Sequence, residues 1–260
     1  MGIVYSIVNQ KGGTSKSAIA VNLAVGLARE GKKVLLIDAD PQADASASLG
    51  YRETDDSNET LTELFGDILN DEELPEGLYI NHQEEGVDVI VSNIDLAGME
   101  VLLVNAMSRE YVLKQIVDKV RDEYDAVIID TMPSLGMLTI NSLAAADEVI
   151  IPVEASYLPI KGLQKLLQTV GRIRKQINPD IQVGGIVFTM VDIRTCEARD
   201  NMEILRDGYG DSIKIFDTYI PASVRMKECC KEGKSIYEYA PTSRVAKAYE
   251  NLAGEVIRNG

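Results

Sequence analysis

The sequence predicts an α/β fold in which a mostly parallel, twisted sheet carries helices on both faces. Short apolar, β-branched segments recur along the 260 residues, and segments of helical period separate them. This alternation is typical of a parallel sheet with crossover helices. Hydrophobic residues make up 45% of the chain, which is enough to bury a core and excludes disorder as its main state. We expect a single domain over residues 1–260, because no repeat or Gly/Ser-rich linker interrupts the pattern.

The elements follow one another in a regular order. Six strands are predicted, at Ile3 to Val8, Lys33 to Ile37, Val87 to Val91, Ala126 to Asp130, Glu148 to Val153 and Gly185 to Thr189. Helices are predicted at Ser17 to Arg29, Arg109 to Glu123 and Ile160 to Ile177, with a short one around Leu61 to Leu69. The helix that begins at Ile160 should stop near Asn178-Pro179, because proline disfavours helix at the residue before it.

The net charge of −15 at first argues against nucleic acid as a partner. The charge is concentrated, however, because 13 acidic residues and no Lys or Arg lie between Glu53 and Asp88. We expect residues 53–86 to form an acidic surface excursion. The rest of the chain is nearly neutral, and from Pro221 onward it has 7 basic and 5 acidic residues. The distribution therefore leaves a nucleic-acid partner open.

Neither a membrane nor an oxidising compartment is indicated. The apolar runs are far shorter than the roughly 18 to 20 residues that span a bilayer. The N-terminus lacks the charged and apolar regions of a leader, so we expect a cytoplasmic protein. Cys196, Cys229 and Cys230 are an odd and badly spaced set for a disulfide framework or a zinc site, which predicts reduced thiols.

A glycine-rich segment, Asn9 to Ser17, directly follows the first predicted strand and opens the first helix. This is the context that a phosphate-binding loop requires. Successive backbone N–H groups and the helix N-terminus would form an anion cradle, Lys16 would reach the β- and γ-phosphates, and the Ser17 hydroxyl would bind Mg²⁺. An ordinary glycine-rich turn is the alternative interpretation of this segment alone.

Three carboxylates follow predicted strands. Asp38 and Asp40 end the second strand, and Asp130 ends the strand that begins at Ala126. Ligands of open α/β sheets bind at the carboxyl ends of the strands, where these side chains should meet. Asp130 is in the position expected of the acid that holds Mg²⁺ through water in a nucleotide hydrolase. An acidic surface turn is the alternative for each acid taken separately.

These residues give the chain a resemblance to the deviant Walker A ATPases of the ParA/Soj/MinD family, most of all to Soj-type partition ATPases. The resemblance extends over essentially the whole chain. It is carried by Asn-Gln-Lys-Gly-Gly at 9–13, Lys16-Ser17, Val34 to Gln42, Leu96-Ala-Gly98, Ser108-Arg-Glu110, Ile129-Asp130, Pro133 to Gly136, Leu138 to Asn141, Ile151-Pro-Val153, Thr189-Met190, Asp192, Arg194-Thr195, Ile220-Pro221 and Val224-Arg225.

The resemblance implies roles for individual residues. Lys11 resembles the signature lysine that crosses a sandwich dimer to the partner's phosphates, and Asp40 resembles the acid that orients the attacking water. Asp38 and Asp130, with Ser17, would serve the metal and its water shell. Arg194 and Arg225 match positions implicated in DNA contact. The implied catalytic residues are Lys11, Lys16 and Asp40, and the implied nucleotide contacts are Lys11, Gly12, Gly13, Thr14, Ser15, Lys16, Ser17, Ala18, Met190 and Pro221.

The sequence also departs from the family pattern. Ser15 stands where the family usually has glycine, beside the phosphate-contacting Lys16, and a Cβ there could crowd the loop or a dimer partner. Met132 replaces a common proline, and Cys229-Cys230 replace a common Ala-Pro. Asp44 has two interpretations: it adds a carboxylate near the γ-phosphate, or it caps the turn that follows, which we favour.

The function implied is DNA partition. An ATP-bound homodimer would bind non-specific double-stranded DNA through phosphate contacts, would be nucleoid-associated in that state, and would hydrolyse ATP with Mg²⁺ when a ParB-type centromere-binding protein stimulates it. The alternative is an ATP-switch positioning or regulatory protein of the MinD type. The basic amphipathic anchor that such a protein needs for a membrane is not evident at Ala246 to Gly260, and the three cysteines do not supply the pattern of a related iron–sulfur carrier.

Overall fold

The computed structural model describes residues 1–155 and 160–258. Its seven-stranded sheet has the strand order β3-β4-β2-β5-β1-β6-β7, and the pairs are parallel except for β3 with β4. The strands are β1 (Ile3–Ile7), β2 (Val34–Ala39), β3 (Asn81–His82), β4 (Val87–Ile90), β5 (Ala126–Thr131), β6 (Glu148–Glu154) and β7 (Gln182–Thr189).

Helices cover both faces of the sheet, which confirms the predicted fold class. Alternate residues of a strand enter different apolar clusters: Leu35 packs with α3, α5 and α6, whereas Leu36 packs with α1 and α11. The helices are α1 (Lys16–Arg29), α2 (Asp44–Ser48), α3 (Leu61–Leu69), α4 (Leu96–Leu103), α5 (Val112–Val120), α6 (Met137–Ala145), α7 (Ile160–Gln176), α8 (Cys196–Tyr209), α9 (Arg225–Glu232), α10 (Ile236–Tyr239) and α11 (Arg244–Ile257).

The acidic region is only partly the surface excursion that we predicted. Helix α3 has the predicted bounds, but Leu61, Leu64 and Phe65 are fully buried in the core. Thr60 and Glu63 form a capping box that fixes where the helix begins. The expectation of an excursion failed because it rested on charge, whereas the apolar side of α3 follows helical period.

The structure differs from the sequence prediction at two other places, the ends of one helix and an additional short strand. The single helix predicted from Arg109 to Glu123 is α5 with a 3-10 turn at each end, Arg109–Tyr111 and Arg121–Glu123. The two-residue edge strand β3 was not predicted, because so short a segment has no readable alternation. Among the described residues, no helix combines the length and the apolar character needed to cross a membrane.

The topology brings the predicted site together. Strand β5 lies between β1 and β2, so the segments that follow these three strands meet at one edge of the sheet. The predicted phosphate loop follows β1, and the three strand-end acids belong to β2 and β5. The acidic region adjoins β3 at one end of the sheet, whereas β7 lies at the other.

Candidate functional site

The loop between β1 and α1 is fixed to the sheet at several points. The Asn9 amide donates to the carbonyl of Pro152 in β6 (2.6 Å), and its oxygen accepts the N–H of Lys11 (3.0 Å). The Thr189 hydroxyl at the end of β7 donates to the carbonyl of Thr14 (3.2 Å), which is fully buried. These hydrogen bonds tie the loop backbone to β6 and β7.

Left-handed backbone is concentrated around this loop. Gly13 (φ 73°) and Ser15 (φ 67°) both adopt it, and Ser15 precedes α1 without a side-chain cap bond. Ala43 (φ 53°), after β2, and Met190 (φ 52°), after β7, do the same. Such conformations cost a non-glycine residue about 1 kcal/mol and often occur at functional sites. Ser15 thus keeps the shape that a glycine would adopt, at some cost in stability.

Lys16 is a buried lysine among carboxylates. It opens α1 and is only 6% exposed. Burial lowers the pKa of its ammonium group, while Asp130, Asp40 and Asp44 favour the charged form. A buried cation at the N-terminus of a helix is arranged to meet a phosphate.

Asp38 and Asp130 lie opposite each other on the adjacent strands β2 and β5, and both are fully buried. The Asp38 carboxylate accepts hydrogen bonds from the N–H (2.8 Å) and hydroxyl (2.7 Å) of Ser46 and from the N–H of Asp40 (3.2 Å). Burial raises the pKa of Asp38 to about 6 although these bonds favour the charged form. Asp38 thus ties the end of β2 to α2 and holds the backbone around Asp40.

The buried carboxylate of Asp130 does not use its hydrogen-bonding capacity. Neither of its carboxylate oxygens has a hydrogen bond of ordinary geometry among the described residues. Burial and the neighbouring Asp38 raise its pKa well above the usual value, and the nearby Ser17 hydroxyl and Lys16 oppose this shift. A buried carboxylate with unused oxygens beside a serine hydroxyl fits hydrated Mg²⁺. In the described part of the chain, no three His, Cys, Asp or Glu side chains form a group that could hold a metal ion by themselves.

The loop after β1 and Asp40 border a cleft of about 930 Å³, which we call the nucleotide cleft. The predicted residues that line it are Gly13, Ser15, Lys16, Ser17, Ala18, Asp40, Met190 and Pro221. Asp38, Asp130 and Thr14 lie behind its wall, fully or almost fully buried, and Gly12 is exposed. Burial raises the pKa of Asp40, the acid at the wall, although the N–H of Gln42 donates to it (3.0 Å).

Asp44 does not cap α2, contrary to the interpretation that we favoured. The residue before the helix is Ala43, and no side chain caps that end. Asp44 is in the first turn and lines the nucleotide cleft near Lys16. The helix begins at Asp44 itself, one residue earlier than a capping role for Asp44 requires, and the left-handed Ala43 before it is not evident from the sequence pattern.

Lys11 lies at the rim and contacts Glu154 instead of the cleft. Its Nζ is 2.5 Å from Glu154 Oε2, at the end of β6. Our sequence reasoning missed Glu154, although an acid directly after the predicted strand was a usable signal. It also missed Ser46, because nothing in a short polar helix indicates that one of its serines binds the buried Asp38 carboxylate.

A second cavity, of about 990 Å³, brings Arg194 and Arg225 together; we call it the basic groove. Arg244 and Lys247 of α11 also line it. Arg194 makes a two-pronged ion pair with Asp192, with both N···O distances at 2.8 Å. Among the described residues, Arg225 and Arg244 form no ion pair, whereas Lys247 pairs with Glu250. Asp192 and Asp217 also line the groove, so its cations outnumber its carboxylates by four to two.

Three lysines that follow Arg225 in the sequence do not line the groove with it. Lys227 and Lys231 line the nucleotide cleft, and Lys234 pairs with Glu238. Residues 221–223 line both cavities and separate them. The nucleotide cleft and the basic groove therefore share one wall.

The comparisons with known proteins agree with this arrangement. A family model described as an AAA domain matches residues 2–183. The chain is 42% identical over 260 residues to the sporulation initiation inhibitor protein Soj of Bacillus subtilis, covering all of both chains. It is 40% identical over 257 residues to the chromosome-partitioning ATPase Soj of Treponema pallidum, covering 99% of this chain and 98% of that one.

A solved structure has the same fold. Cobyrinic acid a,c-diamide synthase from Mycobacterium smegmatis, with bound ATP analog and magnesium, superimposes with a TM-score of 0.85 at 31% identity. The match covers 99% of this chain and 95% of the other. The matches to relatives extend over the full chain, and the loop after β1 and the acids at the strand ends fit the same family. The chain belongs to the ParA/Soj/MinD family of deviant Walker A ATPases.

Proposed function

We propose that this protein is a Mg²⁺-dependent ATPase of DNA partition, built as one domain over residues 1–260. The observation that carries the proposal is the wall shared by the nucleotide cleft and the basic groove, residues 221–223. Nucleotide that contacts this segment can change the groove on its other side. The name of the Treponema pallidum relative, a chromosome-partitioning ATPase, supports the same function.

The loop after β1 binds the phosphates of ATP. The N–H groups of residues 12–17 and the ammonium of Lys16 face the phosphate oxygens, and Met190 and Pro221 border the far part of the cleft. Ser17 and Asp130 would hold Mg²⁺, and Asp38 orients the segment around them. Bound there, the metal would supply positive charge that neutralises the phosphates.

Asp40 orients the water that attacks the γ-phosphate. Its carboxylate is at the cleft wall, close enough to Lys16 for the two charges to interact. Phosphoryl transfer needs positioning and charge neutralisation more than covalent chemistry from the protein. Hydrolysis to ADP and phosphate then depends on a cation beside the transferred group, which Lys11 of a second copy supplies across an ATP-dependent homodimer.

DNA binds along the basic groove without sequence preference. Arg225 and Arg244 face the phosphates directly, and Arg194 joins them when it leaves Asp192. The acidic region lies toward the opposite edge of the sheet, so it does not oppose this contact. A ParB-type partner stimulates hydrolysis, the dimer then leaves the DNA, and the protein is cytoplasmic and nucleoid-associated when ATP is bound.

The alternative is a positioning or regulatory protein of the MinD type with little DNA role. Its membrane anchor would have to come from an apolar helix face near the C-terminus. Helix α11 buries that face, including Val245, Leu252 and Val256, in the core shared with α1. The described part of α11 is therefore not available to a bilayer, which favours the partition function.

ATPase turnover tests the proposal most directly. Turnover should be measured for the protein alone, for the protein with double-stranded DNA, and for the protein with DNA and the DNA-binding protein of the neighbouring gene. We expect slow turnover alone and the largest increase when both are present. DNA retention by the ATP-bound protein, compared with the ADP-bound protein, separates the two functions. Equal and negligible DNA binding in both states, with ATPase activity intact, would favour the MinD-type alternative.

A further inference from the structure

The thiol of Cys230 lies on the wall of the nucleotide cleft. Cys230 belongs to α9, is partly exposed, and lines the same cleft as Lys16 and Asp40. Its neighbour Cys229 is 1% exposed. Of these two adjacent thiols, only that of Cys230 is therefore accessible from the cleft.

The adjacent cysteines do not form a disulfide with each other in this helix. Consecutive Cα atoms are about 3.8 Å apart, whereas those joined by a disulfide are usually about 4.4 to 6.8 Å apart. Cys229 Sγ instead donates to the carbonyl of Met226, 3.3 Å away within the helix. The Cys230 thiol therefore has no disulfide partner beside it and stays available for exchange with a disulfide that enters the cleft.

The surroundings of Cys230 favour its thiolate. The side chains of Cys229 and Ser48 hold the pKa of Cys230 below its usual value, against the opposing effects of burial and of Asp44 on α2. Arg52, in the loop after α2, donates to the backbone carbonyl of Cys230 (3.3 Å) and not to its thiol. The thiolate is the form of cysteine that attacks disulfides.

Tyr249 adds a second feature to this part of the cleft. It lies in α11, is 1% exposed, and contributes to the cleft lining. Its hydroxyl is buried and has no hydrogen-bond partner among the described residues, and it interacts electrostatically with Cys230. An unused buried donor can bind a polar group that is placed beside it.

We propose that Cys230 is a thiol-modification site at which a small disulfide, such as oxidised glutathione, forms an adduct that blocks the nucleotide cleft. The Cys230 thiolate attacks one sulfur of the disulfide, a new S–S bond forms, and the old S–S bond breaks. The second half leaves as a thiolate with the electron pair, so Cys230 is oxidised and the leaving half is reduced. The effect of the adduct on ATP rests on the proposed function, whereas the reaction itself does not.

A Cys196→Ser background removes the exposed thiol on α8 from the measurement. This protein is treated with oxidised glutathione, and the adduct is located by peptide mass spectrometry. We expect one adduct, on Cys230, and at least a tenfold slower reaction when Mg²⁺-ATP is bound. The adduct should weaken Mg²⁺-ATP binding at least tenfold by calorimetry, and dithiothreitol should restore it.

Two variants and a pH series provide the controls. Cys230→Ser and Cys230→Ala, each compared with its own untreated sample, should show no effect of the disulfide on Mg²⁺-ATP binding. Between pH 7.5 and pH 6, the reaction at Cys230 should slow less than that of a thiol with the ordinary pKa of about 8.5, which would slow roughly 30-fold.

Three results would overturn the proposal: an adduct on Cys229 in place of Cys230, no adduct on Cys230, or an adduct there that leaves Mg²⁺-ATP binding unchanged. Failure of the untreated protein to bind Mg²⁺-ATP would contradict the proposed function and the blocking effect together. The adduct and its pH dependence would still decide whether Cys230 is the reactive thiol, so the two failures are distinguishable.

Discussion

Lys11 and Glu154 form an ion pair within one chain, with Nζ 2.5 Å from Oε2. The two side chains are 34% and 22% exposed, so solvent weakens their attraction, and pairs of this kind contribute at most about 1 kcal/mol. A lysine that serves a second copy has to leave such a partner. The phosphates of ATP carry more negative charge than one carboxylate, so they can displace Glu154.

The role of Lys11 is tested by Lys11→Ala. The variant should bind Mg²⁺-ATP as a monomer but lose the ATP-dependent dimer, hydrolysis, or both, because the in-trans cation is missing. Sedimentation with and without ATP and turnover assays measure this, with the exposed Lys33→Ala as the matched control. A variant with an unchanged ATP-dependent dimer and full turnover would contradict the in-trans role.

The ion pair itself is tested by Glu154→Gln. Removing the negative charge weakens the attraction between this side chain and Lys11 without changing the size of the side chain. We expect the ATP-dependent dimer to form at severalfold lower protein concentration, since about 1 kcal/mol corresponds to roughly a fivefold change. Sedimentation of the variant beside the wild type measures the shift. A dimer that requires a higher concentration would show that Glu154 contributes to the interface instead of restraining Lys11.

Substitutions at Lys16 and Asp40 should affect nucleotide binding and hydrolysis differently. Lys16→Ala should abolish ATP binding, because the carboxylates of Asp40, Asp44 and Asp130 would then face the phosphates without a cation. Asp40→Ala should bind ATP and fail to hydrolyse it. Calorimetry and phosphate release measure the two effects, with Asp56→Ala as the control for loss of an acid. Wild-type turnover by Asp40→Ala would exclude the water-orienting role.

Much of this site was predictable because it follows strand ends. Asp38, Asp40 and Asp130 each come directly after an apolar run, and parallel order brings such positions to one edge. The sequence did not reveal Ser46, although only eight residues separate it from Asp38, because a serine in a short polar helix gives no signal. It did not reveal Tyr249 or the pairing of Lys11 with Glu154, because these contacts join elements far apart in the chain. The burial of α3 was missed for a similar reason. Its acidic residues can be read from the local sequence, whereas the core into which its apolar face packs is formed by other segments of the chain.

Asp130 predicts a dependence of stability on pH. Its folded-state pKa is raised, so the folded protein holds this proton more tightly than the unfolded chain does. Stability without nucleotide should therefore increase as pH falls through the raised pKa and decrease as pH rises through it. Asp38 adds to this trend between its ordinary value of 3.8 and about 6.

Asp130→Asn should consequently stabilise the nucleotide-free protein. In EDTA at pH 7.5 we expect Tm to rise by about 3 °C, the shift that about 1 kcal/mol produces in a protein of this size. The gain should shrink at lower pH, where the wild-type carboxyl is protonated, and Mg²⁺-ATP binding should weaken. Differential scanning calorimetry measures this, with the exposed Asp122→Asn as control. A lower Tm at pH 7.5 would show that the carboxylate has stabilising contacts in the nucleotide-free state.

DNA binding should depend on ATP and on the basic groove. One copy presents few uncompensated cations there, because Asp192 holds Arg194, so a dimer is needed to retain a phosphate backbone against salt. Binding should fall with ionic strength with a log–log slope of about −0.9 for each phosphate neutralised, and it should show little sequence preference. Arg194→Glu and Arg225→Glu should each abolish it without changing nucleotide affinity.

Asp192→Ala should change DNA affinity in the direction opposite to Arg194→Glu and Arg225→Glu. It releases Arg194 from its two-pronged ion pair, so DNA binding should tighten several-fold and its salt slope should become steeper. Fluorescence anisotropy with a duplex of arbitrary sequence, with ATP or ADP, measures each variant, and Arg174→Glu on the exposed face of α7 is the matched control. Tight binding by the nucleotide-free monomer, or wild-type binding by both Arg→Glu variants, would exclude the groove as the DNA site and favour the ATP-switch alternative.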